Sequence, residues 1–225
     1  MKILEVVGLT CLANSVTLLD ALSFTLEEGE ILALCGPTDA GKTACLRCLA
    51  GSLPVHSGRL IFDGREVTGL RPLDLVRQGL VRTGEIPTPP WSLTTTEAVV
   101  LALRWPRVGA LAAVLAKWPD TRRALAAALL ERVGLLADRA TRRDDLPPAG
   151  LERLELAQAL ALRPRLLLLD EPLGRLPLDE RPAMAALIAE IRAGGASVLL
   201  TERDPALADL IADRVAVLDR GALIA

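Results

Sequence analysis

The spacing of apolar and polar residues changes several times along this chain, and each change marks a different kind of element. In the first third, short apolar runs between turn residues predict strands at 2–9 (KILEVVGL), 21–26 (ALSFTL), 30–35 (EILALC) and 58–64 (GRLIFDG). A helix is expected over 42–51, and a shorter one over 71–79 (RPLDLVRQG) leads into a strand-like 80–83 (LVRT). From Ile86 the character shifts. The run PTPP at 87–90 breaks the chain, and Thr94 and Glu97 have the spacing of a capping box for a helix over 95–105. Helical pattern continues over 120–136, so the Ala/Leu/Arg-rich stretch 86–150 reads as a helical insertion. The run RLLLLD at 165–170 is continuously apolar, as expected of a strand buried on both faces. A helix over 179–194, a strand over 196–201, a helix with Asp204 as N-cap and Pro205 at its first position, and a strand over 214–219 complete the pattern. Strands alternating with helices imply an α/β fold with a mainly parallel sheet core.

Composition narrows the picture. The chain has 225 residues, 51% of them hydrophobic, enough for one large domain or a domain with a subdomain. A formal net charge of −2, 2% aromatics and no tyrosine leave little to attract or stack nucleic acid, so no nucleic-acid partner is expected. The longest apolar run, 108–116 before Lys117, falls short of the roughly 18–20 residues that span a bilayer. Met1 and Lys2 lead into a strand pattern rather than a signal peptide, so a soluble cytoplasmic chain is expected, touching a membrane through partners. Cys45-x-x-Cys48 invites a redox or metal reading, but both thiols fall in the helix after the loop described next, where cysteine packs as a small apolar residue. With His56 as the single histidine, neither a zinc site nor a Ser–His–Asp triad is expected.

The segment CGPTDAGKTACL carries the chemistry. Gly36-x-x-x-x-Gly41-Lys42-Thr43 matches the phosphate-loop spacing without a mismatch, between an expected strand and an expected helix. Glycines let the backbone wrap tightly, its N–H groups turn inward, and the helix start favours an anion. Gly36, Pro37, Thr38, Asp39, Ala40, Gly41, Lys42, Thr43 and Ala44 are the expected phosphate-binding residues, with Lys42 reaching the β- and γ-phosphates and Thr43 holding Mg²⁺. Lysine is rare here, at three residues (Lys2, Lys42, Lys117) among 26 Lys and Arg, yet it fills this slot. A thin ammonium stem fits where a planar guanidinium would crowd the loop. Asp39 would weaken phosphate binding unless it points outward.

A second cluster follows at LLLLDEP. Asp170 and Glu171 end a buried strand, and parallel sheets bind ligands at that end. Asp170 is expected to hold Mg²⁺ beside Thr43, and Glu171 to accept a proton from the attacking water.

The loop, the helical insertion and LPPAGLERLELAQALALRPRLLLLDEP together resemble an ABC transporter ATP-binding subunit. FDGREVTGL, GLVRT and LERLELAQALALRPRLLLLDEP look most like the ATPases of branched-chain amino-acid and related amide or urea importers. The resemblance implies a P-loop NTPase fold in one domain, 1–225: residues 1–85 and 151–225 as core plus an N-terminal antiparallel β subdomain, and 86–150 as the α-helical subdomain. It implies ATP and Mg²⁺ as ligands, and a second ATPase subunit, identical or not, that sandwiches two ATP molecules head to tail. It also implies transmembrane permease subunits contacted by the helical insertion, a solute-binding protein engaged indirectly, and a place on the inner face of the cell membrane.

Five positions depart from the family pattern. Ala13 stands where an aromatic residue stacks on adenine. Glu85 stands at the glutamine that senses Mg²⁺ and water, where a carboxylate can ligate metal but offers no N–H donor. Leu146-Pro147-Pro148-Ala149-Gly150 stands at the signature that faces the partner's ATP, with a proline lacking an N–H and an alanine bringing a Cβ. Pro177-Leu178 replaces a partner-facing Asn-Pro. Arg203 replaces the switch histidine; it keeps a cation for the γ-phosphate but has no acceptor. Three readings stay open: an energy-coupling ATPase, a nucleotide-responsive structural subunit with impaired hydrolysis, and a P-loop kinase for a small metabolite.

Overall fold

The computed structural model describes residues 1–13, 15–86, 92–108 and 120–224. Two strands of 12 residues each, β1 (Lys2–Ala13) and β2 (Val16–Glu27), form a long antiparallel ribbon, followed by β3 (Ile31–Cys35) and helix α1 (Lys42–Leu49). Next come β4 (Ser57–Phe62), β5 (Arg65–Glu66), α2 (Pro72–Gln78) and β6 (Leu80–Arg82). Helices α3 (Thr95–Val108), α4 (Asp120–Arg132) and α5 (Pro148–Ala161) lead to β7 (Leu166–Asp170), α6 (Arg181–Ala193), β8 (Ser197–Glu202), α7 (Pro205–Ala208), β9 (Arg214–Asp219) and β10 (Ala222–Leu223).

The chain divides into two compact units: Met1–Arg82 with Arg165–Ala225, and Thr83–Pro164. The first unit holds two sheets. One is antiparallel, in the order β2-β1-β4-β5. The other runs β10-β9-β3-β8-β7-β6, parallel throughout except for its β10 edge. The three central strands explain the continuous apolar runs: every residue of β3, β8 and β7 is buried. In this order β3, β8 and β7 are neighbours and parallel, so Cys35, Glu202 and Asp170 finish on the same side of the sheet.

In the second unit the capping box forms as expected. Thr94 N–H donates to Glu97 Oε2 at 2.8 Å, and Glu97 N–H donates to Thr94 Oγ1 at 3.3 Å. The sequence places the end of the helical insertion at 150, but the compact unit continues to Pro164. Helix α5 accounts for the difference: Gln158 Nε2 donates to Ala98 O of α3 at 3.1 Å, and Arg153 Nη1 donates to Val133 O beyond α4 at 3.0 Å. The pattern assigned no element to α5, because apolar residues cover most of its circumference and hide the helical period. The PTPP break at 87–90 and most of the apolar run 108–116 lie outside the described residues.

The ribbon also extends beyond the expected 2–9 and 21–26. Register shifts between Val6 and Leu9 and again between Leu9 and Cys11, with Gly8 and Ala21 at positive φ, break the apolar alternation where the strands continue. Leu199 sits at the centre of β8 between β3 and β7 and is fully buried. Leu199→Ala is expected to destabilise the protein by about 3 kcal/mol through lost burial and a residual cavity, read as a lower denaturant midpoint at unchanged m-value.

Candidate functional site

The bend from β3 into α1 is fixed by close backbone neighbours. A Cβ on Gly36 would lie 2.1 Å from the carbonyl oxygen of Leu218 in β9. Gly41 has φ 96°, and a Cβ there would lie 2.5 Å from Leu18 O of β2. Within the loop, Ala40 N–H donates to Pro37 O at 3.2 Å, while Ala40 O accepts from Gly221 N–H at 2.9 Å, tying the loop to the β9–β10 turn. Helix α1 has no acidic residue in its first turn and no side-chain N-cap, so its positive end is left to an outside anion. Pro37, Thr38, Asp39 and Thr43 are exposed, Ala44 is half-buried, and Ala40 is buried. Asp39 is thus turned outward rather than into the loop.

Lys42 is only 2% exposed. Its Nζ donates to Gly36 O and Pro37 O at 2.7 Å each and stands 3.6 Å from Glu171 Oε1. The ammonium thus links the loop to the end of β7. Asp170 lies beside it in a dense set of donors. Thr43 Oγ1 and Thr201 Oγ1 donate to Asp170 Oδ1 at 3.2 and 2.9 Å, and Arg82 Nη2 donates to Oδ2 at 3.2 Å. Arg175 Nη2 stands 3.9 Å from the same Oδ2.

Glu171 has φ 52°, a left-handed conformation uncommon for a residue with a side chain. It is held by its own N–H, which donates to Thr201 O and Thr201 Oγ1 at 3.1 Å each. Both of its carboxylate oxygens accept from Arg203 Nε, at 3.1 and 3.0 Å. Thr38, Thr43, Glu171, Arg175 and Arg203 line an open cleft of about 500 Å³. A hydroxyl and a carboxylate oxygen side by side form a hard-oxygen donor pair that suits Mg²⁺, so Thr43 and Asp170 fit that ion.

Sequence reading missed four residues here: Arg82, Arg175, Thr201 and Glu202. Glu202 is fully buried, and its Oε1 accepts from Leu173 N–H at 2.7 Å and Gly174 N–H at 3.3 Å, fixing the turn after Glu171. A lone charged residue ending the buried, otherwise uncharged β8 is the available signal. Burial pushes the Glu202 carboxyl above the ordinary carboxylate range, outweighing the two backbone hydrogen bonds that lower it. Burial likewise pushes the Cys35 thiol up to about 11 and that of Cys45 to about 12, while Cys48 is also raised. Cys11, Cys35, Cys45 and Cys48 are all buried free thiols.

The remaining expected residues fall elsewhere. Ala13 ends β1 half-buried, and Pro177 and Leu178 are exposed in the loop before α6. In the helical unit, Glu85 is half-buried. Pro147 is the N-cap of α5 and Pro148 its first residue, a position where proline's missing N–H costs the helix nothing. Pro147 and Pro148 are exposed and Ala149 half-buried, but Gly150 is buried. A Cβ on Gly150 would come within 3.3 Å of Pro147 and 3.4 Å of Leu146, so this glycine serves local packing.

A parallel sheet in which the phosphate-loop strand β3 lies beside β8, ending in Glu202, with β7, ending in Asp170, on the far side of β8, defines a P-loop nucleotide-binding fold. The ABC transporter family model matches residues 19–174. The chain belongs to this family. It is 33% identical over 230 residues to the high-affinity branched-chain amino acid transport ATP-binding protein BraF of Pseudomonas aeruginosa, covering 99% of this chain and 90% of that protein. It is 37% identical over 216 residues to the methionine import ATP-binding protein MetN of Rhizobium johnstonii, covering 92% of this chain and 55% of that one. The crystal structure of a nucleotide-free ATP-binding cassette from an ABC transporter superposes with a TM-score of 0.89 at 23% identity, covering all of this chain and 90% of that one.

Glu202 generates a pH prediction. A carboxyl raised in the folded state favours its protonated form there, so its contribution to stability is full below the unfolded value and fades as pH rises through the folded one. Glu202→Gln keeps an oxygen for Leu173 and Gly174 but cannot ionise. The variant is expected to gain stability relative to the native chain as pH climbs above about 4.5, the ordinary value. Denaturant midpoints across a pH series check this, and parallel curves would remove Glu202 as the source.

Proposed function

We propose that this chain is the ATP-binding subunit of an ABC-type importer, coupling ATP-driven subunit closure and hydrolysis to transport. The observation that carries the reading is the meeting of Lys42, Thr43, Asp170 and Glu171 where β3 and β7 end. Lys42 and the loop residues Gly36 to Ala44 hold the phosphates, with the start of α1 supplying partial positive charge. Thr43 and Asp170 would hold Mg²⁺, which would supply charge neutralisation for the phosphates. Glu171 takes the proton of the attacking water, and Arg203 adds a cation for the γ-phosphate.

Likeness to BraF supports branched-chain amino acids or related small polar solutes as cargo, carried by permease subunits and delivered by a solute-binding protein that this chain does not touch. No helix among the described residues is long and apolar enough to cross a membrane, which agrees with attachment to the cytoplasmic face through those permease subunits. A second ATPase subunit, identical or not, completes the site. Pro147 to Gly150 then face the partner's nucleotide, and the exposure of Pro147 and Pro148 at the start of α5 agrees with that role.

Impaired hydrolysis is the second reading, and a specific observation favours it. Pro148 removes an N–H from the first turn of α5, and the nearby glycine, Gly150, is packed inward. A subunit of this kind would bind ATP while a competent partner hydrolyses it.

Calorimetry with ATP, with and without Mg²⁺, tests the reading. The native chain is expected to bind, and Lys42→Ala to bind at least about 10-fold more weakly while keeping its circular-dichroism spectrum. Where turnover is measurable, Glu171→Gln is expected to lower it by about 100-fold or more. Absence of heat from folded protein at millimolar ATP would overturn the reading.

A further inference from the structure

Arg203 follows β8 and is 61% exposed, yet its Nε is turned onto Glu171. Its Nε lies 3.1 Å from Glu171 Oε1 and 3.0 Å from Oε2, and Oε1 also faces Lys42 Nζ at 3.6 Å. Every oxygen with which Glu171 could receive a proton is therefore turned toward a cation. Glu171 is 13% exposed, so water has little other approach to the carboxylate. The backbone cannot relax this arrangement easily. Glu171 is held at φ 52° by Thr201, and Arg203 is held between the fully buried Glu202 and the helix cap at Asp204, whose Oδ1 accepts from Ala206 N–H at 2.9 Å.

We infer that Arg203 is a positioning residue that clamps Glu171 in the ligand-free protein and exchanges that carboxylate for the terminal phosphate of a nucleoside triphosphate. The inference rests on the nucleotide-binding reading above and adds a regulation of that same site. A guanidinium cannot lose its charge and only donates, so anions within its reach compete for it. Without a triphosphate its partner is Glu171. A γ-phosphate at the mouth of the cleft carries more charge and can accept two parallel N–H bonds, so it competes for Arg203 and leaves the Glu171 oxygens facing water. A diphosphate lacks the competing group. The base is thereby exposed by the molecule on which it acts.

Two measurements test the clamp. In the free protein, the ¹⁵Nε–¹Hε resonance of Arg203 is expected to report a slowly exchanging, hydrogen-bonded proton in the native chain and to move to an ordinary solvated position in Glu171→Gln. Identical resonances in the two proteins would overturn the clamp whether or not nucleotide binds. Affinities for β,γ-imido-ATP and for ADP are then compared in the native chain, Glu171→Gln, Arg203→Gln and the double variant. Freeing Arg203 from its carboxylate is expected to tighten the triphosphate analogue by about 3- to 10-fold in Glu171→Gln, with ADP changed by less than about 2-fold. That gain is expected to vanish when Arg203→Gln is also present. A gain that persists without Arg203, or that appears equally with ADP, overturns the exchange. Failure of every protein to bind either nucleotide while the resonance still moves would instead overturn the nucleotide-binding reading.

Discussion

A single buried ammonium group organises this molecule's chemistry. Lys42 has almost no contact with water, and a charge so placed must be paired. Its partners are two carbonyls of its own loop and the carboxylate of Glu171 on another strand. Those partners are available only because Gly36 and Gly41 let the loop close against Leu218 and Leu18, and because β3, β8 and β7 run parallel and finish together. Sheet order, loop glycines and acidic strand end thus all serve one ion arrangement. A polyphosphate would satisfy the same ammonium better than carbonyl dipoles do, which makes the loop a receptive one.

How much of this was legible in sequence depended on the range of each signal. The phosphate loop, the capping box at Thr94 and Glu97 and the Asp204 cap are local, built from residues a few positions apart, and the structure places all three as expected. The continuous apolar strands were legible because burial on both faces leaves no polar positions to blur the pattern. Elements whose burial comes from distant neighbours were harder. Helix α5 is apolar around much of its surface, and the β1–β2 ribbon carries register shifts, so neither shows a clean period. Within the site, Asp170 and Glu171 were readable from a short motif. Arg82 and Arg175 were not, because nothing in RTGE or LGRL says that either guanidinium turns toward Asp170.

Those arginines change what kind of site this is. Asp170 receives two hydroxyls and one guanidinium, with a second guanidinium near, and Glu171 receives Arg203 and Lys42. The acidic pair is therefore compensated by this chain's own cations and donors. Such a site gives up part of the attraction that bare carboxylates would exert on a divalent cation, since the ion would share oxygens already engaged. In return, it places positive charge beside the phosphate loop.

Arg203 shows why histidine and arginine are not equivalent at such a position. A neutral imidazole can accept a proton from one neighbour while donating to another, whereas a guanidinium can only donate and keeps its charge. Next to Glu171, it pairs with an anion inside the protein. On the proposed reading, an arginine there does more than remove an acceptor, because it engages Glu171, the proposed base. Glu202 adds to the constraint by anchoring Leu173 and Gly174, which leaves the residues after Glu171 little room to turn the carboxylate elsewhere. On the proposed reading, the departures at Arg203 and at Pro148 bear on different requirements: one on the availability of the base, the other on the donors offered to a partner's nucleotide. Neither replaces Lys42 or Thr43, so on that reading phosphate binding alongside restrained hydrolysis follows from where the changes fall, not from how many there are.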